Sequence, residues 1–321
     1  MIPDAFADAG FTVERLVMDD GVALTLARIG PRYAESGRRP VILGHGVGFA
    51  TLAYRGLWQT LSRDREVVAV DLRGHGLNAA GIDATPPQAR LAADQAAIAR
   101  HLAAEAGTPP DALFHSYSGV LSLHAEQAEG RLYHRRVFME PPLIPAGEME
   151  GATEAAAGRD FMAERMKRRR DRFASLEDFA RIFRERPEFA WMEPGAPDDL
   201  AAAVLVPAEE GGFRLACAPA VESGFYSGNT PEGLWDLLAR AKQQPGLVAP
   251  SLMIAGRRPA GITADPFTAA ITPVAARAGG FDLLQLADIT HMLPMERSAF
   301  IATAATAFFD EPVRGSLPSD R

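Results

Sequence analysis

The chain has 321 residues, 47% hydrophobic and 23% charged, which is the make-up of an ordinary globular protein large enough for one big domain or a core carrying an insertion. A net charge of −8 with no cationic tail argues against nucleic acid or an anionic membrane as a main partner. A lone cysteine, Cys217, excludes disulfides within the chain and suits a reducing compartment.

The first residues lack the basic and apolar regions of a signal peptide, and no apolar run approaches the ~20 residues that span a bilayer, so a soluble cytoplasmic protein is expected. Phe11 to Val17 and Val22 to Ile29 flank the turn signal Asp19-Asp20-Gly21 and read as a hairpin. Val41-Ile42-Leu43 and Val67-Val68-Ala69-Val70 are short continuous apolar runs, with helix-like spacing from Tyr54 to Leu61 between them. Ala89 to Ala106 places Leu91, Ile98 and Leu102 on one helical face. Ala112-Leu113-Phe114 reads as a strand, Tyr117 to about Gly130 as a helix, and Arg136-Val137-Phe138-Met139 as another strand. Buried strands alternating with helices imply parallel pairing through right-handed crossovers.

From Pro141 to about Pro245 this rhythm breaks into arginine-rich and acidic helical sequence. Ser175 is a candidate N-cap there, ahead of the stripe Phe179, Ile182 and Phe183. The alternation resumes with Ser251 to Gly256, a helix near Phe267 to Arg277, Phe281 to Leu286, and a last helix from about Met295 to Phe309. The expected organisation is an α/β core of residues 1–142 and 246–321, with a helical insertion over 143–245.

Three loops carry candidate chemistry. In Phe114-His115-Ser116-Tyr117-Ser118-Gly119 a serine lies on a tight turn from strand to helix, a place that exposes a hydroxyl beside the unpaired amides of a helix start. Small residues are required two positions either side of such a serine; Ser118 satisfies this, whereas Phe114 stands where glycine is usual. Moving the nucleophile to Ser118 loses the preceding histidine, so Ser116 is preferred. Taken alone, the motif also fits a strand-end serine with no chemistry. The second loop, His45-Gly46-Val47-Gly48, can turn sharply and aim the Val47 N–H at the serine. The third, Asp71-Leu72-Arg73-Gly74-His75-Gly76, also sits at a strand end, and late in the chain comes His291-Met292-Leu293-Pro294-Met295-Glu296-Arg297.

In their order and spacing these segments resemble the α/β-hydrolase superfamily over residues 11–142 and 246–310. The resemblance implies an α/β-hydrolase fold with an eight-stranded, mostly parallel sheet and the insertion forming a helical cap after strand six. It implies Ser116 as nucleophile, His291 as general base, and the Val47 and Tyr117 amides as oxyanion donors. A carboxylate must hold the base in its tautomer. The usual place, after strand seven, reads Gly256-Arg257-Arg258-Pro259-Ala260-Gly261, with Asp265 the next acid along. Some relatives, certain haloalkane dehalogenases among them, use the end of strand six instead, where this chain has Glu140. Glu140 is favoured and Asp265 kept as the alternative.

The other histidines fall in the loops or on helical and turn sequence. No His-x-His-x-Asp-His or Cys-x-x-Cys cluster is present, so neither a metal nor another cofactor is expected. Arg165, Arg168, Arg169 and Arg172 would share one helical face, which reads either as a solvated surface or as a contact for an anionic substrate. Trp191, Phe213, Phe225, Tyr226 and Trp235 supply core for the insertion, with one or two available to line an acyl pocket. The expected partner is a small molecule, and homo-oligomerisation is left open. The expected function is hydrolysis of a carboxylic ester or lactone through an acyl-enzyme. Thioester, amide or C–C cleavage, a non-catalytic ligand-binding role and a cofactor-free oxygenase or lyase are the rivals; haloalkane and epoxide hydrolysis are disfavoured because those relatives carry aspartate where Ser116 stands.

Overall fold

A computed structural model describes residues 2–80, 82–145, 147, 149, 151–230, 233–258 and 266–311. The expected hairpin is present as β1 (Thr12–Val17) and β2 (Ala23–Ile29), paired antiparallel. A short helix, α1 (Tyr33–Ser36), leads to β3 (Val41–Gly44), α2 (Arg55–Leu61), β4 (Val67–Val70), α3 (Gln88–Ala106), β5 (Asp111–His115), α4 (Tyr117–Glu129) and β6 (Arg136–Met139). After a long excursion come β10 (Ser251–Arg257), α10 (Pro266–Gly279), β11 (Asp282–Ala287) and α11 (Ser298–Asp310). The eight strands form one sheet in the order β1-β2-β4-β3-β5-β6-β10-β11, parallel from β4 to β11. This is the expected α/β-hydrolase architecture.

The central strands read as unbroken apolar runs because both faces are covered. Strand periodicity sends Val41, Leu43, Val67, Ala69, Leu113, Val137 and Met139 to one face, where they pack with Leu57, Trp58 and Leu61 of α2 and Ile301, Ala305 and Phe308 of α11. Ile42, Val68, Val70, Ala112 and Phe114 go to the other, against Ala92, Ala96, Ile98, Ala99 and Leu102 of α3. Leu43 and Leu113 have no exposed surface; truncating either to alanine would cost about 2–5 kcal/mol. The alanine-rich α3 lies close along α4. The helix stops at Gly107, whose φ of 67° ends it in the left-handed region.

Between β6 and β10 the chain forms α5 (Ala152–Lys167), β7 (Arg172–Phe173), α6 (Leu176–Glu185), α7 (Ala196–Val204), β8 (Leu205–Pro207), β9 (Phe213–Leu215), α8 (Pro219–Ser227) and α9 (Leu234–Gln243). The stretch is not wholly helical, since β7, β9 and β8 make a three-stranded antiparallel sheet. Ser175 caps α6 as expected, its Oγ accepting from the Asp178 N–H at 3.1 Å. The arginine run does not share one helical face: α5 ends at Lys167 and Arg172 lies in β7. α9 packs beside α10 and α4 over the sheet, whereas α7 lies on the 3-10 turn Thr51–Ala53 that follows β3.

Candidate active site

β5 ends at His115, and Ser116 joins it to α4 with φ 53° and ψ −122°, a conformation costly for a residue with a Cβ. The turn is held by the Ser116 N–H donating to the Met139 carbonyl at 2.9 Å and the Ser116 carbonyl accepting from Gly119 N–H at 2.9 Å. Phe114 is accommodated because the space is cleared on the neighbouring strand. Gly44 pairs with it in register, and a Cβ there would meet the Phe114 ring at 2.8 Å. The ring is 1% exposed and packs edge-on to Tyr133. Ser118, the rival serine, is also 1% exposed and spends its hydroxyl on the His45 carbonyl at 2.5 Å.

The structure brings Ser116, His291 and Glu140 together. His291 hangs from the loop between β11 and α11, with Nε2 at 3.1 Å from Ser116 Oγ and Nδ1 at 2.8 Å from Glu140 Oε2. Its loop is fixed by Glu296, which accepts from the Thr290 N–H at 2.7 Å and the Thr290 hydroxyl at 2.5 Å, while Thr290 Oγ1 accepts from the Met292 N–H at 3.1 Å. The glutamate in the His-x-x-Pro-x-Glu stretch therefore folds back to brace the histidine. Glu140 directly follows β6, has φ 47°, and is fully buried. Burial pushes its carboxyl up, but the hydrogen bond from His291 and the Arg258 cation more than offset this and hold it at about 2. Asp265 lies outside the described residues.

Sequence reasoning missed the groups around Glu140. Arg258 grips it with Nη1 at 2.9 Å from Oε1 and Nη2 at 2.7 Å from Oε2, while the Gly256 N–H donates to Oε1 at 2.8 Å and Thr268 Oγ1 to Oε2 at 3.0 Å. The sequence signal was a carboxylate before a double proline at the end of one strand and an arginine just past another.

The His45–Gly48 loop lies beside the serine: a Cβ on Gly46 would fall 2.9 Å from the Ser116 Cβ. The Val47 N–H has no acceptor among the described residues, and Tyr117, the first residue of α4, has one of the amides a helix start leaves unpaired. Buried histidines shape this loop. His45 Nε2 accepts from the Leu72 N–H at 2.9 Å, and His75 Nε2 accepts from the Gly48 N–H at 3.1 Å. Accepting requires neutral rings, and burial lowers His45 to about 4 and His75 to about 3. Asp71 ties the two loops by accepting from Thr51 N–H and hydroxyl, each at 2.7 Å, and from Leu77 N–H at 2.8 Å. His115 accepts from the Tyr54 hydroxyl at 2.7 Å and donates to the His291 carbonyl at 3.0 Å, with burial first and the nearby His291 next holding it well below the usual histidine range.

The segment after β6 reaches this region through α8. Phe225 is fully buried against Tyr117 and His75, and Glu222 is 1% exposed with both oxygens 2.7–2.8 Å from Arg169 Nη1. Arg169 therefore turns inward, whereas Arg170 and Arg172 pair with Asp178 and Glu210 at the surface. Trp235 is core, donating to the Ile144 carbonyl at 2.7 Å. Among the described residues one cluster, Glu14, His101 and Glu105, has metal-ligand types, but Arg28 donates to both of its carboxylates and makes it an ion-pair network. No helix among the described residues is long and apolar enough to cross a membrane.

A family model described as the alpha/beta hydrolase family matches residues 41–305. No curated protein matches the chain. Among solved structures, E-2-(acetamidomethylene)succinate hydrolase superposes with a TM-score of 0.70 at 20% identity, covering 94% of this chain and 100% of that one. The thioesterase domain from the curacin biosynthetic pathway gives 0.67 at 16%, covering 92% and 99%. A thermophilic esterase from Thermogutta terrifontis gives 0.63 at 18%, covering 92% and 97%. At these identities the likeness is one of fold.

Proposed function

Because the chain belongs to the alpha/beta hydrolase family, we propose that it is a serine hydrolase that cleaves a small-molecule carboxylic ester or lactone through an acyl-enzyme. The observation that carries this reading is the unbroken line from Ser116 Oγ to His291 Nε2 at 3.1 Å and from His291 Nδ1 to Glu140 Oε2 at 2.8 Å. In this reading His291 takes the Ser116 proton as the oxygen attacks the carbonyl carbon, and Glu140 steadies the imidazolium. The Val47 and Tyr117 amides receive the developing oxyanion. His291 then returns the proton to the leaving alcohol, activates a water against the acyl carbon, and Ser116 is restored with release of the acid.

The region 143–245 acts as a cap in this scheme, with α8 roofing the oxyanion side through Phe225 and Glu222. A bounded, partly apolar substrate fits such a roof better than a polymer. The thioesterase name of one structural neighbour makes thioesters the second class to assay, and C–C bonds beside a carbonyl are accessible to the same three side chains. A cytoplasmic setting and a small-molecule partner go with this reading.

The test is intact mass after exposure to a small fluorophosphonate, on wild type and Ser116→Ala. One adduct on wild type and none on the variant is expected, followed by turnover in an ester, lactone and thioester panel. A folded wild type that takes no adduct and turns over none of these substrates, yet binds a small molecule saturably, would replace the hydrolase with a binding protein on the same fold.

A further inference from the structure

Arg258 stands just beyond β10, in the stretch where the superfamily resemblance leads one to seek a carboxylate, and its guanidinium folds back over the strand end. It forms a two-pronged ion pair with fully buried Glu140, 2.9 and 2.7 Å long, while its own side chain is 9% exposed. The same guanidinium reaches two further elements. Nη1 donates to the carbonyl of Ile289, two residues before His291, at 3.2 Å, and Nη2 lies 3.2 Å from Thr268 Oγ1 of α10. Thr268 Oγ1 is in turn 3.3 Å from His291 Nδ1. The backbone beneath is bare for this purpose: a Cβ on Gly256 would lie 2.9 Å from Arg258 Nη1 and 2.5 Å from the Ile289 side chain.

We propose that Arg258 is a positioning residue for this site, a fixed cation that holds Glu140 ionised in the orientation His291 requires and that lowers the proton affinity of the His291–Glu140 pair. The proposal rests on the hydrolase reading for its functional meaning, though its physical content does not. Moving the acid to the end of β6 leaves it fully buried, and a buried carboxylate facing only an imidazole tends to share or capture the proton. The two-pronged cation removes that tendency. It also stands close to His291, so the protonated imidazole forms against a neighbouring positive charge as well as a negative one. Among the described residues, the other titratable groups facing the pair are His115 of β5, whose ring centre is 4.7 Å from that of His291 and which is neutral, and Glu296, spent on Thr290. Among these described groups, Glu140 and Arg258 are the charges held directly against the His291 ring and its partner.

The experiment is a pH titration of the His291 ring by NMR on histidine-labelled protein, with its resonance identified by its loss in His291→Asn. Arg258→Met is expected to raise the midpoint by about one pH unit or more, and the acid limb of kcat/KM should move up with it. Arg258→Lys, which keeps the charge without the fork, should stay within a few tenths of a unit of wild type. A role confined to packing would lower kcat in both variants and leave the midpoint in place. A midpoint unmoved in Arg258→Met, or moved equally in Arg258→Lys, overturns the proposal. If Arg258→Met does not fold, Arg258→Gln, which is shorter and uncharged but keeps an amide donor, carries the same expectation. The titration needs no substrate, so its failure is distinct from failure of the hydrolase reading, which fluorophosphonate labelling of wild type decides.

Discussion

Replacing Glu140 with glutamine removes one charge and keeps the shape, yet it unsettles every group that the carboxylate holds. The carboxylate accepts five donors: Gly256 N–H, both Arg258 nitrogens, Thr268 Oγ1 and His291 Nδ1. An amide has one acceptor oxygen, and its NH2 must confront a donor whichever way it is turned. With the NH2 toward His291, Nδ1 must lose its proton and become an acceptor, so Nε2 carries the proton and cannot take another from Ser116. The wrong tautomer costs about 10⁴ in kcat, or about 5.5 kcal/mol of barrier. In either orientation the nearly buried Arg258 guanidinium loses its counter-ion, a defect of about 3–5 kcal/mol in stability.

Glu140→Gln should therefore lose at least a thousandfold in activity on the best ester and unfold at clearly lower urea concentration. Both are read by steady-state kinetics and a urea titration on the same preparation. Asp265→Asn should stay within a few-fold of wild type. The reasoning fails if folded Glu140→Gln keeps activity within tenfold while Asp265→Asn loses several orders of magnitude. The acid would then be Asp265, and the hydrogen bond between Glu140 and His291 would be incidental to turnover.

The same geometry sets three shorter expectations. Ser118→Ala loses one hydrogen bond, to His45, and should cost about 1 kcal/mol in stability while still taking the fluorophosphonate; loss of labelling there but not in Ser116→Ala would exchange the two serines. Gly44→Ala drives a methyl to 2.8 Å from the Phe114 ring and should destabilise by about 1–3 kcal/mol, with Phe114→Ala in the same chain recovering part of it; strictly additive losses would contradict the packing argument. His45 and His75 are neutral when folded, with values of about 4 and 3, but take up protons near 6.5 once unfolded. Their contribution is complete above 6.5 and falls as pH drops toward 4, by about 1.4 kcal/mol per pH unit each. A urea midpoint that stays flat from pH 7.5 to 5 would refute this.

Much of the scaffold was legible because its signals are local. Runs such as Val67 to Val70 must be buried on both faces, and Ser175 three residues before Asp178 is a cap that needs no tertiary information. Ser116 and His291 were legible because a strand-to-helix turn and a late loop confine where their side chains can go. What lay beyond the sequence was pairing between distant segments. The small sheet between β6 and β10 rests on strands of two and three residues with no periodicity to detect. The arginine run looked like one stripe, but α5 ends before it does, and Arg169 finds Glu222 across 53 positions.

The two departures from the superfamily pattern, Phe114 at the elbow and Arg258 rather than an acid just past β10, share one physical reading under the proposed function. In that reading each function is supplied from the strand alongside. The clearance a glycine normally supplies within the elbow comes from Gly44, the partner of Phe114 on β3. In the proposed triad the carboxylate comes from the end of β6, the neighbour of β10 in parallel register. In a parallel sheet the ends of adjacent strands deliver side chains to the same rim, so a turn residue or a charge can change strands without leaving the site. Such a move carries a condition, because the position it vacates must fit the new arrangement. Beside β6 that condition is met by Arg258, which pairs with the buried Glu140 from just past β10.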